Sequence, residues 1–133
     1  MLHAILIYAP EDQVEALSPA EDEAHVAEHI KLHGVLSANG QLGPVVRLMG
    51  TSTAVRVRTE GTPFVIDGPY AETKEQLLGF YIVDVDSIGA AIDIARSLPS
   101  VNSVFEIRPV KRYFPAPDTP SPGRRGRAGV GAS

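Results

Sequence analysis

The chain has 133 residues, 44% hydrophobic and 21% charged, which is enough for one domain with a real core and too little for two ordinary ones. With no cysteine, disulfides, thiolate nucleophiles and cysteine-held metals are excluded. The net charge of −4 divides into −6 for residues 1–114 (9 Lys+Arg, 15 Asp+Glu) and +2 for residues 115–133 (3 Arg, 1 Asp), so the body lacks the basic face that phosphate binding needs and is not expected to bind nucleic acid.

Residues 2–8 are rich in aliphatic side chains and are stopped by Pro10, the pattern of a strand buried on both faces. No apolar run approaches the ~18 residues that cross a bilayer, and MLHAILIYAP has neither a basic flank nor a small-residue cleavage site, so a cytoplasmic protein with no membrane association is expected. Ser18-Pro19-Ala20-Glu21 combines an N-cap, a proline at the first helical position and a capping-box glutamate, which predicts a helix from about residue 19 to about residue 36. Residues 41–49 are mixed and broken by Gly43-Pro44. Residues 54–58 alternate apolar and basic side chains, and Glu60-Gly61-Thr62 turns the chain into 63–67, predicting a hairpin. A second apolar run spans 77–85, Asp86-Ser87 caps a helix reaching about residue 98, and 104–110 alternates as a last strand. The order of elements predicts an α+β, ferredoxin-like split βαβ with an extra hairpin strand. From Pro115 onward Pro, Gly, Ser and Ala dominate, so residues 1–114 are expected to form the domain and 115–133 a flexible tail.

Two clusters carry possible chemistry. His25, His29 and His33 recur every four residues on the first long helix, the spacing that puts imidazoles on one face. With Glu21, Glu28 and Lys31 marking solvent, the buried arc is centred near Val26 and Ile30, with His33 flanking it, His29 at its margin and His25 further round; Ala20, Ala24 and Ala27 argue for a different inner face. A structural hydrogen bond, a general acid or base role, and a metal site through His25 and His29 all compete for these residues, and the lack of a positioned third ligand counts against the metal. The second cluster follows the strand at 63–67. Asp67-Gly68-Pro69 is turn chemistry, but Tyr70, Glu72, Thr73, Lys74 and Glu75 crowd in after it, which suggests the rim of a cavity. Gly79 sits inside a strand pattern, where a bulge or a close backbone approach is the usual reason.

The run from Asp67 to Tyr81, DGPYAETKEQLLGFY, closely resembles the signature of the YCII-related proteins of the DGPF type, and the likeness extends over about residues 1–112. One departure is Tyr70 in place of phenylalanine. The resemblance implies a ferredoxin-like subunit pairing as a dimeric α+β barrel, with a pocket between sheet and helix where a histidine and an aspartate act. It further implies small ring-shaped or halogenated metabolites as substrates for some relatives, and an association with extracytoplasmic-function sigma factors. The resulting expectation is a cofactor-free, cytoplasmic homodimer that binds a small organic metabolite and catalyses proton transfer or elimination. Asp67 would be the base or orienting carboxylate, His33 or His29 its partner, and Tyr70, Lys74 and Arg56 ligand contacts, with no metal. The rival expectation is a non-catalytic dimeric module that partners or senses for a sigma factor.

Overall fold

The computed structural model describes residues 1–61, the backbone of 64–67, and residues 74–117. Strand β1 (Leu2–Ala9) is followed by a short helix α1 (Glu11–Glu15) and by α2 (Pro19–Ala38). The α2 N-terminus is the expected capping box. The Ser18 hydroxyl accepts from the Glu21 amide at 3.1 Å, and the Glu21 carboxylate accepts from the Ser18 amide at 2.9 Å, which satisfies two otherwise unpaired donors. Helix α1 was not anticipated from the sequence. Pro10 precedes it in extended backbone and Glu11 and Asp12 favour its first turn, but five residues are too few to show a period.

Strand β2 (Leu42–Arg47) leads through a 3₁₀ turn at Thr51–Thr53 to β3 (Val55–Arg58) and β4 (Phe64–Asp67). Strand β5 (Gln76–Asp84), helix α3 (Ile88–Ser97) and strand β6 (Val104–Pro109) complete the described fold. The sheet runs in the order β2-β5-β1-β6. Because β1 and β2 each pair antiparallel with β5, they run parallel to one another with β5 between them, and α2 makes the crossover. By the same logic β5 and β6 are parallel around β1, and α3 crosses over. The chain is thus α+β, built on an antiparallel four-stranded sheet. The expected hairpin forms, from Val55↔Asp67 to Arg58↔Phe64, but as a separate two-stranded ribbon, so it adds no strand to the sheet among the described residues.

Residues 42–47 are an edge strand and not merely a broken stretch. The register moves from Leu42↔Val83 to Val45↔Tyr81, so Gly43-Pro44 is accommodated as a bulge, where proline's missing N–H costs the ladder little. A Cβ at Gly43 would lie 2.6 Å from the Ile82 carbonyl oxygen, and one at Gly79 would lie 2.2 Å from that of Val46. The two backbones approach too closely for any side chain there, which meets the sequence expectation for Gly79.

Strand alternation sorts the core. Ile5, Tyr81 and Val83 are buried on the helix side, where they meet Leu36 of α2 and Ala91, Ile94 and Ala95 of α3. The same alternation turns Leu6, Phe80 and Ile82, neighbours through the Leu6↔Phe80 and Ala4↔Ile82 pairings, to the opposite face. No described helix covers that second face. None of the described helices is long and apolar enough to cross a membrane.

Candidate functional site

The inner face of α2 is set by the residues that lose solvent, namely Asp22, His25, Val26, His29, Leu32, His33 and Leu36, which recur at three- and four-residue steps. The buried arc is therefore centred on His29, not on Val26 and Ile30 as the sequence suggested. Ile30 is 61% exposed and Val35 57%. The alanine face, Ala20, Ala24 and Ala27, also points to solvent. Helix α2 thus presents imidazoles to the sheet where an ordinary amphipathic helix would present aliphatic side chains.

These imidazoles meet Tyr81. Its ring is 1% exposed. Its hydroxyl lies 2.6 Å from His29 Nδ1 and 2.7 Å from His33 Nε2, joining two positions of α2 to the centre of β5. The His29 and Tyr81 rings stack with centroids 5.8 Å apart and planes inclined by 28°, while His25 lies edge-on to His29 at 5.0 Å. Burial pushes the Tyr81 phenol up to about 12, so it stays protonated at neutral pH. Burial, reinforced by positive charge on His25, His33 and Arg47, pushes His29 down to about 4. Burial also lowers His33. For His25 burial and Arg47 lower the pKa while Asp22 opposes them. At neutral pH His29 is therefore a neutral imidazole, able to accept a proton.

Between α2 and the sheet lies a cavity of about 190 Å³. Its apolar walls include Ile7, Val14, Val26, Val45 and Leu78, and its polar groups include the three histidines, Tyr81 and Arg47. Arg47 donates to Asp22 of α2 at 2.9 Å, fastening the edge strand to the helix beside His25. A bulge in β5, where Ile7↔Gly79 is followed by Tyr8↔Leu77, frees Leu78 from the pairing and lets it line the cavity.

The site residues expected from sequence thus separate. His29 and His33 come together at the cavity through Tyr81. Arg56 pairs with Ile66 in the ribbon and Lys74 is exposed; neither borders the cavity, and Arg47 is the arginine that does. The Asp67 side chain and Tyr70 lie outside the described residues, as do Glu72, Thr73 and residues 118–133 of the expected tail. His25 and His29 do adjoin, but among the described residues no group of three or more His, Cys, Asp or Glu side chains is arranged to hold a metal. Tyr81 and Arg47 were missed. The alternation of β5 carries the signal for Tyr81, because it shares a face with Gly79 and Val83, and a tyrosine buried there needs a hydroxyl partner.

Comparison with known proteins places the chain in a family. The chain is 42% identical over 119 residues to an uncharacterised protein, R00369, of Rhizobium meliloti (strain 1021), in an alignment covering 86% of this chain and 96% of the relative. The model of the YCII-related domain matches residues 1–113, which include β1, the α2 histidines, Tyr81 and β6, and the chain belongs to the YCII-related domain family.

Proposed function

We propose that the protein is a cytoplasmic, cofactor-free enzyme that binds a small organic metabolite between α2 and the sheet and catalyses proton transfer or elimination on it. The observation that carries this reading is the placement of a neutral His29, with His25, His33 and Arg47, on the wall of a largely apolar cavity, its Nδ1 held by the Tyr81 hydroxyl. An apolar cavity of about 150 Å³ holds a benzene ring, so about 190 Å³ suits a ligand with a single ring. Apolar walls strengthen electrostatic interaction with the developing charge. His29 is the base, His33 stands behind it, and Asp67 is assigned as an orienting carboxylate. Two ferredoxin-like subunits pair through the sheet face bearing the partly buried Leu6, Phe80 and Ile82 to make a dimeric α+β barrel, because none of the described helices lies over that face. This favours a twin subunit over a sigma factor as the occupant.

A thermal-shift screen of ring-bearing metabolites on wild type and His29→Gln tests the reading. A ligand at 100 times its Kd contributes ~2.7 kcal/mol, a rise of roughly 10 °C for a domain of this size. The rise is expected in wild type, lost in His29→Gln and kept in Lys74→Ala. Hits that stabilise wild type and His29→Gln equally would remove His29 from the site. Asp67→Asn is expected to weaken the rise, and an unchanged rise would remove Asp67 alone.

A further inference from the structure

We infer that Tyr81 links His29 and His33 into a two-step proton relay, in which the nitrogens facing its hydroxyl always carry opposite protonation, so that His29 can present either a base or an acid to the cavity. The argument rests on hydrogen counting. A phenol has one proton, yet His29 Nδ1 at 2.6 Å and His33 Nε2 at 2.7 Å both lie within hydrogen-bond distance of its oxygen. Two bare nitrogens would leave one contact with no hydrogen in it. Two N–H groups would leave the phenol proton without an acceptor at a residue 1% exposed, and an unmet buried donor costs ~1–3 kcal/mol. One imidazole must therefore donate to the tyrosine while the other accepts from it.

In one arrangement His29 Nδ1–H donates to Tyr81 and Tyr81 O–H donates to His33 Nε2, which leaves the lone pair of His29 on Nε2. That nitrogen makes no hydrogen bond among the described residues, and His29 borders the cavity. When Nε2 takes a proton from a bound molecule, the Nδ1–H bond breaks as a new O–H bond forms on Tyr81, and the original O–H bond breaks as an N–H bond forms on His33 Nε2. His29 is then neutral with its proton on Nε2, and the positive charge rests on His33. The charge moves away from the side chain that tolerates it least, since His29 is held down by His25, His33 and Arg47 as well as by burial, and His33 by burial alone. The titratable and charged groups around the relay are His25 and Asp22 on α2 and Arg47 on β2; none of them is hydrogen-bonded to His29 or His33 among the described residues. Tyr81 is in this scheme a positioning residue.

The relay deepens the proposed acid–base function, but its test needs no ligand, so either can fail alone. In protein with ¹⁵N-labelled histidine at neutral pH, protonated and bare ring nitrogens resonate far apart. The expected result is a proton on one of His29 Nδ1 and His33 Nε2 and none on the other; matching states at the two nitrogens would overturn the relay. In Tyr81→Phe the two rings are expected to become independent, each averaging between its Nδ1–H and Nε2–H tautomers, and a single fixed pair of tautomers that survives would show that Tyr81 does not set it. If that variant does not fold, the wild-type spectrum still decides.

Discussion

Helix α3 meets the sheet through Ala91, Ile94 and Ala95, all buried, and ends against the buried Leu98. Helix α2 is twice as long, 20 residues against 10, yet it buries Leu36 alone and turns three histidines inward. Both cover the same side of the same sheet. On the α3 side small and branched apolar residues fill the space and exclude water. On the α2 side the helix stands off over a cavity and is held by Arg47 to Asp22, by imidazole bonds to Tyr81, and by the close approach of the β2 and β5 backbones. The difference shows how one fold divides its labour: α3 supplies stability through area, while α2 gives up area to hold polar groups beside an apolar-walled cavity.

The sharpest way to break this contrast is through the backbone approach. Gly79→Ala places a methyl group against the Val46 carbonyl, where nothing can shift except the strand itself. The expected loss is about 3 kcal/mol, at the top of the range for overpacking, read as a fall in the urea midpoint. If the loss were under about 0.5 kcal/mol, the α2 side would not depend on the β2–β5 approach. Next in size is Ile94→Ala on α3, expected to cost about 2 kcal/mol as a buried truncation. Its counterpart Ile30→Ala on α2, 61% exposed, is expected to fall within about 0.5 kcal/mol. Equal losses at the two positions would abolish the distinction between the helices.

The legible parts of this molecule are those whose cause is local. The Ser18 capping box, the Ser87 cap and the apolar strands 2–8 and 77–85 each act within a few residues, so the sequence alone places them. Gly79 is legible for the same reason: a glycine inside a strand pattern implies crowding. The phase of α2 is not legible, because Val26, Ile30 and Val35 are scattered around the helix and alanines flatten the contrast between its faces. Four of the seven residues on its true inner face, Asp22 and the three histidines, are ones that hydropathy counts as polar. Their burial depends on Tyr81, 48 and 52 residues away in the chain, which no local period can reveal. The hairpin shows the same limit. Alternation at 54–58 predicts a strand, but whether the ribbon joins the main sheet is decided by edges far off in sequence.

The contrast between the helices also predicts how stability responds to acid, with a smaller effect than either Gly79→Ala or Ile94→Ala. The buried side of α3 carries no titrating group, since Asp93 and Arg96 face outward, whereas that of α2 carries His29. In the unfolded chain this imidazole charges near 6.5, and in the native state only near 4. Between those values the unfolded chain binds a proton that the native protein refuses, so the stabilisation is complete above about 6.5 and is lost as the pH falls towards about 4. His25 and His33 shift in the same direction and add to the loss. Because His29 is only partly buried, water screens much of the difference, and the expected loss is about 1 kcal/mol. Urea midpoints followed across that interval should fall more steeply in wild type than in His29→Gln, because carboxylates elsewhere titrate alike in both. Parallel curves would mean that the imidazole is hydrated in the native state, and that α2 lies against the sheet without drying the residues beneath it.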